Sequence, residues 1–271
     1  METHKTTARR AFRAGHWEDG TRAVSAEVPV ALVYNGTTQA VMMATPAALE
    51  DFAAGFSLTE GIISDLSEIR EREIVEGPLG IEIRLWLAPD AEARFQTRRR
   101  AQVGPVGCGL CGIDSLAEAA RPLPRTTAPL ALRPTDTEAA MKGLMKHQVL
   151  NDATRAAHAA GFYRPGQGVL MAREDVGRHN ALDKLAGALA HAGLNAETGA
   201  LVLTSRVSVD MVQKAAMIGA PVIMAASAPT ALAIAEAEAA GITLVAVVRG
   251  ADFEVFTHPA RFDPKEAADV A

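Results

Sequence analysis

Apolar and polar positions change period along this chain, and those changes predict its elements. Residues 28–35 (VPVALVYN) and 39–44 (QAVMMA) are short apolar runs around Asn35-Gly36. That dipeptide tolerates the positive φ of a tight turn, so the runs predict two strands joined there. Thr45 then predicts a helix cap with Pro46 at the first helical position. Leu49, Phe52, Ala53 and Phe56 recur at three- and four-residue spacing and carry that helix toward Gly61. Residues 81–87 (IEIRLWL) alternate strictly and predict a half-buried strand. Residues 1–25 are polar and without period, which predicts a flexible N-terminal arm.

A Pro-rich stretch over 121–134 (RPLPRTTAPLALRP) reads as a linker, and the pattern changes beyond it. Helical spacing over 135–150 is followed by Gly161 and Gly166 and a strand over 168–173. Helices over 178–192, 208–218 and 230–239 then alternate with strands over 200–204, 221–225 and 243–248. Strands alternating with amphipathic helices predict a layered α/β sheet with parallel pairs. The expected organisation is an arm (1–25), a first subdomain (26–125) with the strand pair, helix and cysteine loop, and an α/β subdomain (126–271).

Composition narrows the function classes. A chain of 271 residues can bury a full core, and with 4% aromatic residues the aliphatic side chains and Met must fill it. A formal charge of -5 argues against nonspecific nucleic-acid binding. Residues 1–17 hold no apolar run of the signal-peptide kind, and the Ala-rich stretch 215–235 is broken by Gly219, Pro221, Ser227 and Pro229. Two cysteines do not make a disulfide framework, so a reducing compartment, the cytoplasm, is expected, with no membrane association.

Those two cysteines stand in 107–112 (GCGLCG), just after the basic run Arg94 to Arg100. Nearby cations lower a thiol pKa and favour the nucleophilic thiolate, and the glycines leave Cys108 and Cys111 accessible. A zinc site would need about four ligands, and no second Cys pair or matching His pair is present. A His-x-Glu element of the zinc-deaminase kind is absent too. A thioredoxin-like redox pair, two inert structural thiols and a persulfide carrier all remain open on the residues alone.

Three polar clusters fall where strands give way to helices or turns, and in a parallel sheet all three should emerge at the carboxyl edge. Residues 174–180 (EDVGRHN) bring Arg178 and His179 to a helix start as charge-assisted anion donors, with Asp175 as a simple cap the competing reading. Residues 204–208 (TSRVS) offer Ser205 and Arg206, with Ser208 as a helix cap. Residues 247–252 (VVRGAD) set Asp252, able to accept from a guanine edge, beside Arg249, and a plain β-turn is the competing reading. His158 reads as structural on a helix of small residues. No P-loop or G-x-G-x-x-G pattern occurs.

Taken in order, these segments resemble one family, the formate dehydrogenase accessory sulfurtransferases (FdhD). The resemblance rests on EVPVALVYNG (27–36), FAAGFSLTEGII (52–63), GCGLCG (107–112), EDVGRHNALDKL (174–185), SRVSVDMVQKAA (205–216), SAPTALAIAEA (227–237), GITLVAVVRG (241–250) and FTHP (256–259). It implies a cytidine deaminase-like three-layer α/β/α sandwich with a smaller second subdomain, assembled as a homodimer. It implies a sulfur carrier, with Cys108 bearing a persulfide received from a cysteine desulfurase and Cys111 its partner. The acceptor would be the bis-molybdopterin guanine dinucleotide form of the molybdenum cofactor, before its insertion into formate dehydrogenase. Guanine nucleotide would serve as a fragment of that cofactor, and no resident metal is implied. The family's cofactor-binding segment falls on Val247, Val248, Arg249, Gly250, Ala251 and Asp252. A noncatalytic cofactor chaperone with incidental cysteines is the alternative.

Overall fold

The computed structural model describes residues 1–101 and 122–262, with the side chains of 98–101 excepted. Cys108, Cys111 and the side chains of Arg98, Arg99 and Arg100 therefore lie outside the described residues.

The chain opens with a hairpin, β1 (His4–Arg13) and β2 (His16–Ser25), paired antiparallel along ten residues. The arm expected over 1–25 is thus a two-stranded ribbon. Its hydrophobic period is absent because neither face packs on a core, so the sequence carries no burial signal. Its base meets the body, where the Arg22 guanidinium donates to Thr154 O at 3.1 Å and Ser25 Oγ to Thr154 Oγ1 at 2.9 Å.

A four-stranded sheet follows in the order β4-β3-β6-β5, built from β3 (Val28–Tyr34), β4 (Thr37–Ala44), β5 (Ile69–Gly77) and β6 (Gly80–Leu87). The Asn35-Gly36 turn is observed, with both residues at positive φ. β5 gave no strand signal because it is an edge strand whose charges (Arg70, Glu71, Arg72, Glu73) face solvent, a common guard against edge pairing. Helix α1 (Leu49–Thr59) covers the inner face, where Phe52 and Phe56 pack with Val30, Leu32, Tyr34, Ile81, Ile83 and Leu85. It starts at Leu49 rather than Pro46 because Thr45 is engaged elsewhere. Thr45 N–H donates to Asp175 Oδ2 at 2.9 Å, and its Oγ1 accepts from Val176 N–H at 3.2 Å. Helix α2 (Pro89–Ala101) then sets Phe95 against Tyr34, ring centroids 5.1 Å apart.

The larger sheet has six strands in the order β12-β11-β10-β9-β7-β8. These are β7 (His158–Arg164), β8 (Gly168–Asp175), β9 (Ala200–Leu203), β10 (Val222–Ala225), β11 (Thr243–Arg249) and β12 (Asp252–Val255). Only the central run β9-β10-β11 is parallel, and β7 and β12 pair antiparallel with their neighbours. The helix expected over 135–150 is split into α3 (Pro134–Met145) and α4 (Val149–Thr154). The Glu174 carboxylate accepts from Leu150 and Asn151 N–H at 2.7 and 2.8 Å, fixing a new helix start there. His158 opens β7 rather than riding on a helix, since small residues such as Ala159 and Ala160 carry no period to separate the two.

α3 covers one face of this sheet. Helices α5 (Arg178–His191), α6 (Val209–Met217) and α7 (Ala231–Ala239) cover the other. Residues 122–133 run along the sheet rather than apart from it, with Thr126 N–H donating to Ala240 O at 2.9 Å and Leu132 buried. The two sheets are joined by α1 crossing α5. At the crossing a Cβ on Gly55 would stand 1.7 Å from Asp183 O, and one on Gly187 1.9 Å from Asp51 O. Backbone meets backbone, which only glycine permits at these two positions. No helix among the described residues is long and apolar enough to cross a membrane.

Candidate functional site

β8, β9, β10 and β11 all end at one edge of the larger sheet, because β7 is antiparallel to both β8 and β9. All three polar clusters emerge there, as does His158, whose backbone pairs with Asp175. The loops after β9 and β10 are stitched together: Val207 N–H donates to Ala228 O at 3.3 Å and Thr230 N–H to Val207 O at 3.0 Å. Arg249 reaches this seam and donates to Ala226 O and, at 2.8 Å, to Val248 O. At the other side His179 Nε2 lies 3.6 Å from Asp210 Oδ2, where the starts of α5 and α6 come close.

The β8–α5 turn carries Arg178 and His179 and is set by one buried carboxylate. Asp175 accepts from Gly177 N–H (2.8 Å), Asn180 Nδ2 (2.9 Å), Thr45 N–H (2.9 Å) and Lys184 Nζ (2.6 Å). Lys184, fully buried, also donates to Thr45 O at 2.8 Å. Burial drives the Lys184 ammonium below its ordinary range, and Asp175 opposes that shift. Asp175 is therefore more than a helix cap, since it ties this turn to the end of the smaller sheet. The sequence hint is a Lys on the face of α5 that should be apolar.

A second buried pair starts at the neighbouring residue, Asp183. Lys214 Nζ donates to Asp183 Oδ1 (2.9 Å), Glu60 Oε1 (2.7 Å) and Thr59 Oγ1 (3.1 Å). Burial pushes Asp183 up to about 6 against the pull of Lys214. Asp183 and Glu60 in turn hold Lys214 above its ordinary value, outweighing its own burial. Both are ionised at neutral pH. Neither residue stood out in the sequence, and again the signal was charge on a buried helix face.

These surroundings decide what the site residues can offer. Burial, then the neighbouring Arg178 and Lys214, lowers His179 to about 4, so it is neutral at pH 7 rather than the charge-assisted donor expected. His158 is lowered as well, by burial and Arg178. Permanent positive charge at this edge therefore comes from the arginines. Arg178 Nε and His179 Nε2 are both buried without a hydrogen-bond partner. Arg206 is exposed, while Ser205 Oγ donates to Arg206 O at 3.0 Å and so folds into its own turn. Ser208 precedes α6 without a side-chain cap, and its Oγ donates to Asp210 Oδ2 at 3.3 Å.

The segment 247–252 divides in two. Val247 takes φ 56° at a bulge between Ala246 and Arg249, and Val248 is 4% exposed and belongs to the core. Arg249, Gly250, Ala251 and Asp252 form the exposed turn of a hairpin between β11 and β12. A tight turn therefore joins β11 to β12, and it leaves Arg249 and Asp252 paired in register at the site edge. Among the described residues no group of three or more His, Cys, Asp or Glu is placed to hold a metal ion.

Comparison with known proteins adds what geometry alone leaves open. The chain is 56% identical to a protein of Agrobacterium fabrum named sulfur carrier protein FdhD, over 261 residues and 96% of both chains. It is 55% identical to a Brucella abortus protein of the same name, over 93% of this chain and 94% of that one. A crystal structure of a protein described as a formate dehydrogenase accessory protein, from Desulfotalea psychrophila, superposes with a TM-score of 0.76 at 27% identity. That match covers 97% of this chain and all of the other. Residues 25–263 match the FdhD/NarQ family, so this mixed α/β protein belongs to it.

Proposed function

We propose that this protein carries sulfur as a Cys108 persulfide from a cysteine desulfurase to the molybdenum cofactor of formate dehydrogenase, before that cofactor is inserted. It would do so in the cytoplasm, as a homodimer on a cytidine deaminase-like scaffold. The relatives' names, sulfur carrier and formate dehydrogenase accessory protein, support the sulfur and client parts. What supports the cofactor part is a row of arginines along one sheet edge, where Arg178, Arg206 and Arg249 leave three different strand ends. β8 and β11 lie four strand spacings apart, so the row spans roughly 19 Å. A row of that length suits an extended dinucleotide better than one phosphate. Helix starts at α5 and α6 add backbone N–H groups for its phosphates.

In the chemistry that follows, the Cys108 thiolate attacks the outer sulfur of the donor's persulfide. A new S–S bond forms on Cys108, the donor's S–S bond breaks, and the donor leaves as a thiolate. No net oxidation occurs in that step. For delivery, the Cys111 thiolate attacks the Cys108 sulfur and releases the outer atom as sulfide to the bound cofactor, the substrate of the reaction. The resulting Cys108–Cys111 disulfide is reopened by a dithiol reductant. Asp252 accepts from the guanine edge of the cofactor, and the arginines hold its phosphates.

Cells lacking their own copy of this protein provide the test. Cys108→Ala is expected to leave formate dehydrogenase assembled but inactive. Full activity with Cys108→Ala would favour the noncatalytic cofactor chaperone instead.

A further inference from the structure

The N-terminal hairpin lies almost wholly outside the family match, which begins at residue 25. We infer that this hairpin is an arm that clasps a second copy of the chain, with Phe12 and Trp17 near its tip as the anchor. The inference rests on the homodimeric reading above and names the surface that would make it.

The hairpin is built like an interface element left in solvent. Phe12 and Trp17 sit directly opposite each other, each 60% exposed, with ring centroids 5.3 Å apart. The Arg10 guanidinium lies 5.5 Å from the Trp17 ring centre. Tryptophan and arginine are the side chains that most often dominate binding energy, and here they are stacked together. Strands of ten residues reach about 33 Å, far enough to cross onto a neighbouring molecule. A two-stranded ribbon with both faces wet is marginal by itself. Its described side-chain bonds to the body are confined to its base, at Arg22 and Ser25.

Charge selects the occupant. The hairpin holds Lys5, Arg9, Arg10, Arg13 and Arg22 against Glu18 and Asp19, a net +3 in a chain of -5, which leaves the remainder at -8. The arm therefore meets opposite charge on another copy of its own chain. A client or sulfur donor would be present only part of the time. A permanently exposed aromatic ribbon fits a partner that is always available at the chain's own concentration, and a second copy meets that condition.

Sedimentation velocity on the full chain tests this, beside Phe12→Ser/Trp17→Ser and a variant lacking residues 2–24. Both changes fall outside the buried clusters, and circular dichroism checks that the body stays folded. The expected result is a dimer for the unaltered chain and a dimer dissociation constant raised at least about 100-fold in both variants. In a Trp86→Phe background, Trp17 fluorescence should move to the red on dilution as the ring returns to water. If the unaltered chain is a monomer at every concentration, the homodimeric reading falls and the arm with it. If the variants dimerise as tightly as the unaltered chain, the dimer stands and the arm inference is overturned.

Discussion

Lys184 and Lys214 carry ammonium groups into the junction between the two sheets, where water cannot solvate them. Each is held by a carboxylate within hydrogen-bond distance, Asp175 at 2.6 Å and Asp183 at 2.9 Å. Such pairs add little net stability, because desolvation consumes most of the attraction, but losing one partner strands the other. Their effect here is positional, since both sit under the turn that presents Arg178 and His179. His179 reports that environment through its proton. Its folded value near 4 lies below the ordinary 6.5, so it stabilises the fold above pH 6.5, and that contribution is lost as pH falls toward 4. Asp183 has the opposite sign: its folded value near 6 exceeds the ordinary 3.8, so its contribution is present below about 4 and lost as pH rises through 6. Urea unfolding of the unaltered chain and His179→Gln separates them. The stability advantage of the unaltered chain over His179→Gln should shrink by up to about 3 kcal/mol between pH 7 and 4. An advantage independent of pH would place His179 in ordinary solvent.

At the scale of elements, the α1–α5 crossing makes the two sheets one unit. Gly55→Ala drives a methyl group into the Asp183 carbonyl, so the helices must separate, and a loss of at least about 3 kcal/mol is expected in denaturant unfolding. A loss below about 1 kcal/mol would mean the crossing is loose. This contact was invisible in the sequence, where Gly55 and Gly187 look like interruptions of helical pattern. Elements with one wet face and one dry face were legible, as β6 and α3 show with their burial at strand and helical spacing. Those lacking a burial contrast were not: β1 and β2 are wet on both faces and β7 is dry on both. Helix α1 starts later than its capping signals suggest because Thr45 bonds across the junction, a long-range choice that local signals do not encode. The site divides in the same way. Its arginines stand where strand endings suggested, whereas the neutrality of His179 depends first on tertiary burial, then on Arg178 and on Lys214, which is 35 positions away in sequence.

For the whole molecule, the fold of an acidic chain gathers Arg178, Arg206 and Arg249 from three strand ends along one sheet edge. Guanosine diphosphate should bind there more tightly than adenosine diphosphate, because only guanine offers the N1–H and N2–H₂ edge that Asp252 can accept from. Arg178→Ala or Arg206→Ala should weaken that binding by about 1.5–3 kcal/mol in calorimetry while leaving Cys108 able to take sulfur. Equal affinity for both nucleotides would remove the guanine reading, and an Arg206→Ala protein that binds normally but no longer accepts sulfur would overturn this division of labour. The central claim, however, concerns the thiol. Mass spectrometry of the intact protein after incubation with a cysteine desulfurase and cysteine tests it most directly. One added sulfur, about 32 Da, should map to Cys108 and disappear on treatment with dithiothreitol. Added mass on Cys111 alone would reverse the two roles, and no added mass on either cysteine with an active desulfurase would contradict sulfur carriage.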